Sequence, residues 1–87
     1  MKTVWKFNVS IQEDFSLLMP RGAKILKLDL QQGEPKIWAL VDSDNPAEER
    51  NFIGRGTGHL IDNPVCDHIG TVVMMNGTFV YHVFEVK

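Results

Sequence analysis

Apolar residues recur at every second position along most of this chain, and that alternation constrains its fold more than any other feature. Two early segments, residues 3–9 and 24–30, each place three apolar side chains on one face: Trp5, Phe7 and Val9, then Leu26, Leu28 and Leu30. A period of two is typical of a half-buried β-strand, whereas an amphipathic helix needs a period near 3.6 residues. No segment has a convincing helical period, so the pattern predicts an all-β protein.

A glycine turn joins the second of these strands to the next one. Residues 31–35 read QQGEP, and Gly33 is the centre of the predicted turn. Residues 36–42, KIWALVD, are apolar on both faces, as in the central strand of a sheet. If the turn has two residues, Asp29 lies opposite Lys36 and the two form a favourable cross-strand pair.

The dipeptide Asn76-Gly77 lies between two apolar runs and gives the strongest local prediction in the chain. A type I′ turn needs positive φ at both central positions, which asparagine and glycine tolerate, so a C-terminal β-hairpin is expected. Its register follows from a two-residue loop: Val73 faces Val80, Thr71 faces His82, Ile69 faces Phe84 and His68 meets Glu85. In this register the two histidines of the hairpin lie on opposite faces.

These elements predict a single β domain spanning residues 1–87, with about six antiparallel strands in a small meander-like sandwich or open barrel. The most polar segment, residues 42–49, is expected to be a loop, with a helical turn at residues 47–50. Trp5 and Trp38 are expected in the core. Because both faces of the hairpin are apolar, either a second layer or a second subunit must cover them, and a homo-oligomer is predicted.

Composition excludes several classes of protein. The 87 residues, 44% of them hydrophobic and 23% charged, fit one globular domain. A net charge of −2 and a pI of about 5.8 give no basic excess for non-specific nucleic-acid binding. The single cysteine, Cys66, excludes an intrachain disulfide and fits a reducing cytoplasm. No apolar run approaches the ~20 residues that span a membrane, and no signal-peptide core is expected at the N-terminus.

The candidate binding site is residues 53–61, IGRGTGHLI, which hold three of the seven glycines. Glycines at alternate positions expose backbone N–H groups, and the residues between them add side-chain donors, as in an anion or nucleotide cradle. The predicted ligand-binding residues are Gly54, Arg55, Gly56, Thr57, Gly58 and His59, with Trp38 as the side chain that stacks a nucleobase. The alternative is a glycine bulge that bends an edge strand, and Asp62, Asn63 and Pro64 end the segment in either case.

Motifs for catalysis are weak. The glycine segment has no Lys-Ser or Lys-Thr for a P-loop, and no third glycine or following helix for a dinucleotide site. Ser10, Ser16 and Ser43 lack a nucleophile motif. Cys66 and His68 form one potential ligand pair, whereas structural zinc usually uses two. The chain is therefore predicted to be non-enzymatic, with no catalytic residue, metal or cofactor.

Five blocks of the chain, taken in order, resemble a family of small tailed-phage proteins of unknown function: MKTVWKF from Met1, MPRGAKIL from Met19, IWALVD from Ile37, GTGH from Gly56 and YHVFEVK from Tyr81. The resemblance covers nearly the whole chain. It implies an accessory phage protein that acts in the host bacterial cytoplasm, and it implies no activity or catalytic residue. The GTGH block favours a role for Thr57 and His59.

Two modes of action in host takeover or anti-defence are expected for such a protein. In the first, an oligomer sequesters a small anionic, nucleotide-derived ligand in a pocket lined by residues 54–59. Arg55 pairs with the phosphate, while the backbone of Gly56 and Gly58 donates hydrogen bonds. In the alternative, the protein inhibits a host protein, which it contacts through a sheet edge or through the acidic loop that contains Asp44, Glu48 and Glu49.

Overall fold

Seven β-strands make up the regular structure of residues 1–62 and 65–87, the residues that this computed structural model describes. The strands are β1 (Lys2–Asn8), β2 (Asp14–Pro20), β3 (Lys24–Gln31), β4 (Glu34–Asp42), β5 (Ala47–Gly56), β6 (Cys66–Met74) and β7 (Phe79–Val86). Nothing in these two ranges forms a helix that is long and apolar enough to cross a membrane. The end of the glycine segment expected at Asn63 and Pro64 lies outside the described residues.

The strands lie in two antiparallel sheets that pack face to face as a small sandwich, which confirms the predicted fold class. Sheet 1 has the order β1-β4-β3, and sheet 2 has the order β2-β5-β7-β6. There is one strand more than expected, because Asp14–Pro20 forms β2 and pairs with β5. Within the described residues only β3–β4 and β6–β7 are hairpins, so the chain crosses between the sheets more often than a meander does.

The first predicted turn forms as expected. Gln32 and Gly33 both have positive φ, 54° and 78°, in a two-residue connection between β3 and β4. Asp29 therefore pairs with Lys36, as the sequence predicted. This connection fixes β4 as the central strand of sheet 1, with β1 on its other side.

The C-terminal hairpin also forms around the predicted turn. Asn76 and Gly77 have φ values of 56° and 87°, and Met75 before them is also positive at 54°. The N–H of Thr78 donates to the carbonyl of Met75 at 3.1 Å and closes the turn. The predicted register holds for residues 71–74.

A β-bulge changes the second half of this hairpin. The register shifts between His68 and Gly70, so His68 takes the position opposite Phe84 that was predicted for Ile69. One extra residue in a strand reverses the face of every residue beyond it. His68 therefore lies on the same face as His82, and the prediction that the two histidines point to opposite faces is wrong.

A similar bulge decides which residues of β3 face the core. The register shifts between Ile25 and Lys27, which leaves Leu26 without a partner on β4. Leu26 is exposed, whereas Leu28 is buried. The prediction that these two leucines share one buried face is wrong, because the inserted residue interrupts the alternation.

The core lies between the sheets and takes side chains from alternate strand positions. On β4, Ile37, Ala39 and Val41 are at most 1% exposed, so the residues between them face outwards on sheet 1. Trp5 faces the sandwich from β1 but remains 42% exposed. Its predicted place in the core is wrong, because β1 is an edge strand with a neighbour on one side only.

The polar loop predicted at residues 42–49 is a shorter turn in the structure. The N–H of Asn45 donates to the carbonyl of Asp42 at 3.0 Å, and Ala47 already belongs to β5. Ala47 pairs there with Pro20 of β2. The helical turn expected at residues 47–50 is wrong, because β2 gives these residues a strand partner that the sequence pattern did not reveal.

Candidate functional site

The predicted glycine segment lies at the end of β5 and in the connection that leads to β6. Because β5 and β6 run in the same direction on either side of β7, this connection has to cross β7. Gly54 and Gly56 are still in β5, and Gly58 alone among the three has positive φ, 87°. The segment is therefore a strand end followed by a tight turn, close to the bent-strand alternative.

Gly54 makes room for an aromatic ring. A Cβ atom at this position would lie 2.0 Å from Oη of Tyr81, so the phenol covers the glycine directly. The same hydroxyl donates to the carbonyl of Gln12 at 2.7 Å and accepts from its N–H at 3.2 Å. Burial raises the pKa of this phenol. Gly54 thus lets Tyr81 attach the connection between β1 and β2 to sheet 2.

Two backbone donors of the predicted site, the N–H groups of Gly54 and Gly56, are engaged within the chain. The N–H of Gly54 donates to the carbonyl of Glu13 at 2.9 Å. The N–H of Gly56 donates to Nδ1 of His59 at 3.2 Å, and His59 in turn donates its own N–H to the carbonyl of Gly56 at 3.1 Å. Because Nδ1 accepts, a neutral His59 carries its proton on Nε2.

Arg55 is held by carbonyl oxygens. Its Nε donates to the carbonyl of Leu60 at 3.1 Å, and its Nη1 donates to the carbonyls of Glu13 and Gly54. Asp14 lies 3.8 Å from Nη2, and the Arg55 side chain is only 12% exposed. A guanidinium whose donors are used in this way fastens the crossing connection to β2 and β5, and it has little capacity left for a phosphate.

Thr57 begins a chain of hydrogen bonds across the outer face of sheet 2. Its hydroxyl lies 2.8 Å from Nε2 of His82, and Nδ1 of His82 lies 2.9 Å from the hydroxyl of Thr71. Nε2 of His68 lies 3.0 Å from that same hydroxyl. These hydrogen bonds order the exposed face of sheet 2. No group of three or more potential metal ligands occurs within residues 1–62 and 65–87.

Two shallow cavities lie beside the glycine segment, and neither suits an anion. The first, of about 250 Å³, is lined by Ile11, Gln12, Glu13, Gly54, Gly56, His59, Phe79 and Tyr81. The second, of about 420 Å³, contains Arg55, but also the carboxylates of Glu13 and Asp62. The ligand-binding role of residues 54–59 stays a prediction, and their own contacts favour a structural role.

Trp38 lies apart from the glycine segment. It is on β4 between two buried core residues, so its side chain is on the outer face of sheet 1, and its predicted place in the core is wrong. Its paired neighbours are Lys6 on β1 and Lys27 on β3. The structure therefore does not bring Trp38 together with residues 54–59, but it places a half-buried indole between two lysines.

A third cavity, of about 360 Å³, lies near one end of this outer face and was not anticipated from the sequence. We call it the basic cleft, and its lining consists of Lys2, Arg21, Gly22, Lys24, Leu40, Val41, Asp42 and Asn45. Three β-strands and two turns contribute to it. The turn at Arg21 is fixed, because its N–H donates to the carbonyl of Pro46 at 2.8 Å and its carbonyl accepts from the Asn45 side chain at 2.9 Å.

The charge of the basic cleft is positive. Within the described chain no carboxylate forms a salt bridge with Lys2, Arg21 or Lys24. Asp42 is the one carboxylate in its lining, and the α-ammonium group of Met1 binds it at 2.9 Å. That hydrogen bond lowers the pKa of Asp42, so the carboxylate is already neutralised by a partner. Three cations that form no salt bridge with a carboxylate thus surround a concave surface, and the charge of Lys2 also helps to lower the pKa of Asp42, its cross-strand partner.

Sequence comparisons give a family but no activity. The model of a family described as Domain of unknown function (DUF7352) matches residues 1–87. No curated protein and no solved structure matches the chain. The match agrees with a family of unknown function and does not show a phage origin.

Proposed function

Since the chain belongs to the DUF7352 family, whose function is unknown, we propose from the geometry of the molecule that it is a non-enzymatic binding protein for a small phosphate-bearing ligand. The observation that carries the proposal is the basic cleft: three cations that form no salt bridge, on a protein whose net charge is −2. Isolated surface cations usually face acidic neighbours or solvent. Three that converge on one concave surface favour an anionic ligand.

Each residue of the cleft has a distinct role in this proposal. Arg21 matches two phosphate oxygens with its planar fork, while Lys2 and Lys24 act as point charges on either side of β4. Leu40 supplies an apolar wall. Trp38 lies two residues before Leu40 on the same face, about 7 Å along the strand, where it can stack a base. The ligand class expected from the sequence is kept, and its site moves from the glycine segment to sheet 1.

Calorimetry tests the proposal. Titrations with ATP, with cyclic AMP and with inorganic phosphate measure whether the protein binds phosphate and whether a base adds affinity. Arg21→Ala and Lys24→Ala should each weaken nucleotide binding about tenfold, since a charge-assisted hydrogen bond contributes about 1.5–3 kcal/mol. Lys87→Ala is the charge-matched control, because Lys87 pairs with Asp67 at 2.9 Å and does not line the cleft.

The outcomes separate the cleft from the glycine segment. No heat with any of the three ligands contradicts the proposal. An equal loss of affinity in Lys87→Ala would mean that the cleft substitutions act only through the net charge of the protein, which contradicts the proposed site. Binding that survives Arg21→Ala but is lost in Arg55→Ala, in a variant that circular dichroism shows to be folded, returns the site to residues 54–59.

The biological setting is a further part of the proposal. The resemblance to tailed-phage proteins supports an accessory phage protein that sequesters a nucleotide-derived ligand in the host bacterial cytoplasm, as an anti-defence function requires. Sequestration needs affinity and abundance but no catalytic group. Self-association is supported by exposed apolar side chains of sheet 2 and its connections, among them Leu60, Val73 and Met75. Light scattering after gel filtration tests it, and a monomer at all concentrations would contradict it.

A second candidate function is inhibition of a host protein through strand addition. The free edge of β1 favours it, because this strand pairs only with β4 and carries the exposed Trp5. The acidic loop supports it less, since Asp44 binds the α-ammonium group at 2.6 Å. Trp5→Ser should release such a protein partner and leave nucleotide binding intact, whereas loss of both would contradict this candidate.

A further inference from the structure

The outer face of sheet 1 carries most of the lysine residues of the chain. Five of the six lysines lie on it, as strand pairing and register show: Lys2, Lys6, Lys24, Lys27 and Lys36. Three carboxylates share this face, those of Asp29, Glu34 and Asp42. The rest of the chain carries four basic side chains against eight carboxylates. The net charge of −2 therefore conceals a positive face on an otherwise acidic molecule.

The cations of this face differ in how free they are. Lys27 pairs with Asp29 at 3.1 Å, and Lys36 lies 3.4 Å from Glu34 and is largely buried. Lys6 donates to the neutral side chain of Gln31. Together with the three cations of the basic cleft, Lys6 gives four cations that form no salt bridge with a carboxylate among the described residues.

Trp38 occupies the centre of the same face. Lys6 and Lys27 are its cross-strand neighbours, one on each side. Val4 and Leu40 form the next pair along the strands and continue the apolar strip towards the basic cleft. An indole in the middle of a sheet, with lysines at both sides and an anion cleft at one end, combines the two features of single-strand binding: a stacking surface and a cationic track.

We propose that this face binds single-stranded nucleic acid, with one phosphate in the basic cleft, the strand crossing β4, and a base stacked on Trp38. This inference rests on the proposed phosphate site and extends it from a mononucleotide to a polymer. From Lys36 to Asp42 the strand extends about 20 Å, which is enough for about four nucleotides, the low end of known single-strand sites. A duplex fits poorly, because its bases are already stacked and the flat sheet offers no element that enters a groove.

The salt dependence of binding follows from the number of phosphates neutralised. The three cations of the basic cleft share one phosphate and Lys6 meets a second, so the slope of log K against log salt concentration should be about −1.4, since each phosphate neutralised on a single strand contributes about −0.7. Lys6→Ala should reduce the magnitude of that slope by about 0.7. The expectation from composition, that the chain does not bind nucleic acid non-specifically, would then be wrong, because total charge does not describe its distribution.

Fluorescence anisotropy of a labelled decathymidylate, with AMP measured in parallel, tests the proposal. The oligonucleotide should bind at least about tenfold more tightly than AMP, a gain of about 1.4 kcal/mol, because a second phosphate reaches Lys6 beyond the basic cleft. Lys6→Ala should remove most of this gain and leave AMP affinity unchanged, whereas Trp38→Leu should weaken the binding of both ligands and Trp38→Phe should retain much of that affinity. Lys87→Ala should change neither affinity. In the Trp5→Phe variant Trp38 is the only tryptophan, and its fluorescence should be quenched by the oligonucleotide.

The possible results are distinct. Equal affinity for AMP and the oligonucleotide overturns the single-strand inference and leaves the phosphate site standing. No binding of either overturns both. Equal affinity for single-stranded and double-stranded DNA, or for heparin, with no effect of Trp38→Leu, shows a general polyanion surface and overturns the stacking role. Circular dichroism confirms that each variant is folded, and Trp38→Phe provides the readout if Trp38→Leu is not.

Discussion

The substitution Gly54→Ala probes the contact that attaches the connection between β1 and β2 to sheet 2. The added Cβ would lie 2.0 Å from Oη, 2.2 Å from Cζ and 2.3 Å from Cε1 of Tyr81. Non-bonded heavy atoms rest near 3.5–4.0 Å, so the ring has to move by about 1.5 Å. Tyr81 is only 3% exposed, so its ring can move only by giving up contacts that it makes in the core.

The cost follows from what the ring loses. Movement breaks both hydrogen bonds between the Tyr81 hydroxyl and Gln12, at about 0.5–1.5 kcal/mol each. Forcing an extra atom into a packed core adds about 1–3 kcal/mol. Gly54→Ala should therefore lower the free energy of unfolding by about 3–5 kcal/mol. A chain of this length has about 4–13 kcal/mol in total, so the variant should lose at least about a quarter of its stability.

Urea unfolding monitored by tryptophan fluorescence measures this cost, and a double-mutant cycle assigns its cause. Tyr81→Leu removes all three atoms that lie near the added Cβ, so Gly54→Ala should cost less than about 1 kcal/mol in that background. Gly58→Ala is the control, because its Cβ meets no atom within 4 Å and only its φ of 87° is strained. It should cost about 1–2 kcal/mol. Equal costs for the two glycines, or no coupling with Tyr81→Leu, would refute the reasoning.

Three further predictions concern the same framework. Near-ultraviolet absorbance follows the ionisation of Tyr81 alone, because the chain has one tyrosine. Burial raises the pKa of its phenol, so Tyr81 should titrate above the ordinary value of about 10 in the folded protein and near that value in the urea-unfolded chain. Because the pKa of Tyr81 is higher in the folded state, its neutral phenol contributes to stability fully below about pH 10, and this contribution is lost as pH rises through the folded pKa. Tyr81→Phe should abolish that loss of stability. Arg50→Met should lower the free energy of unfolding by about 3 kcal/mol, because it leaves the largely buried Glu85 carboxylate without its bidentate partner. The double variant Arg50→Met with Glu85→Leu should recover most of this loss. An unchanged urea midpoint in Arg50→Met would contradict the prediction. Arg55→Lys should speed amide hydrogen exchange at Gly54 and His59 while nucleotide affinity is unchanged, and a loss of affinity would assign Arg55 to the ligand.

The sequence predicted those features of the fold that depend on residues adjacent in the chain. The turns at Gly33 and Asn76-Gly77 need positive φ, and these residues supply it whatever the rest of the chain does. The hairpin register next to each turn followed directly. The bulges at Leu26 and Ile69 were not predictable in the same way, because one inserted residue leaves the composition of a strand unchanged while it reverses every face beyond it.

The candidate site shows the same difference between local and long-range contacts. The glycines and Arg55 look like an anion cradle in sequence because their donors are counted as free. In the structure, carbonyls from Glu13 and Leu60, which no local pattern connects to Arg55, accept those donors. The basic cleft was missed for the converse reason. Lys2 and Lys24 are distant in sequence, and only the pairing of β1 and β3 with β4 places them on one face.

Amide NMR spectra recorded during a titration with AMP test most directly where the ligand binds. The proposed site predicts that the largest shift changes occur at Lys2, Lys24 and Leu40, which surround the basic cleft on three strands of sheet 1. Residues 56–59 should change little, because the N–H groups of Gly56 and His59 remain bonded within the chain. Shift changes that cluster at residues 56–59 and spare the cleft would contradict the account and restore the glycine segment as the binding site.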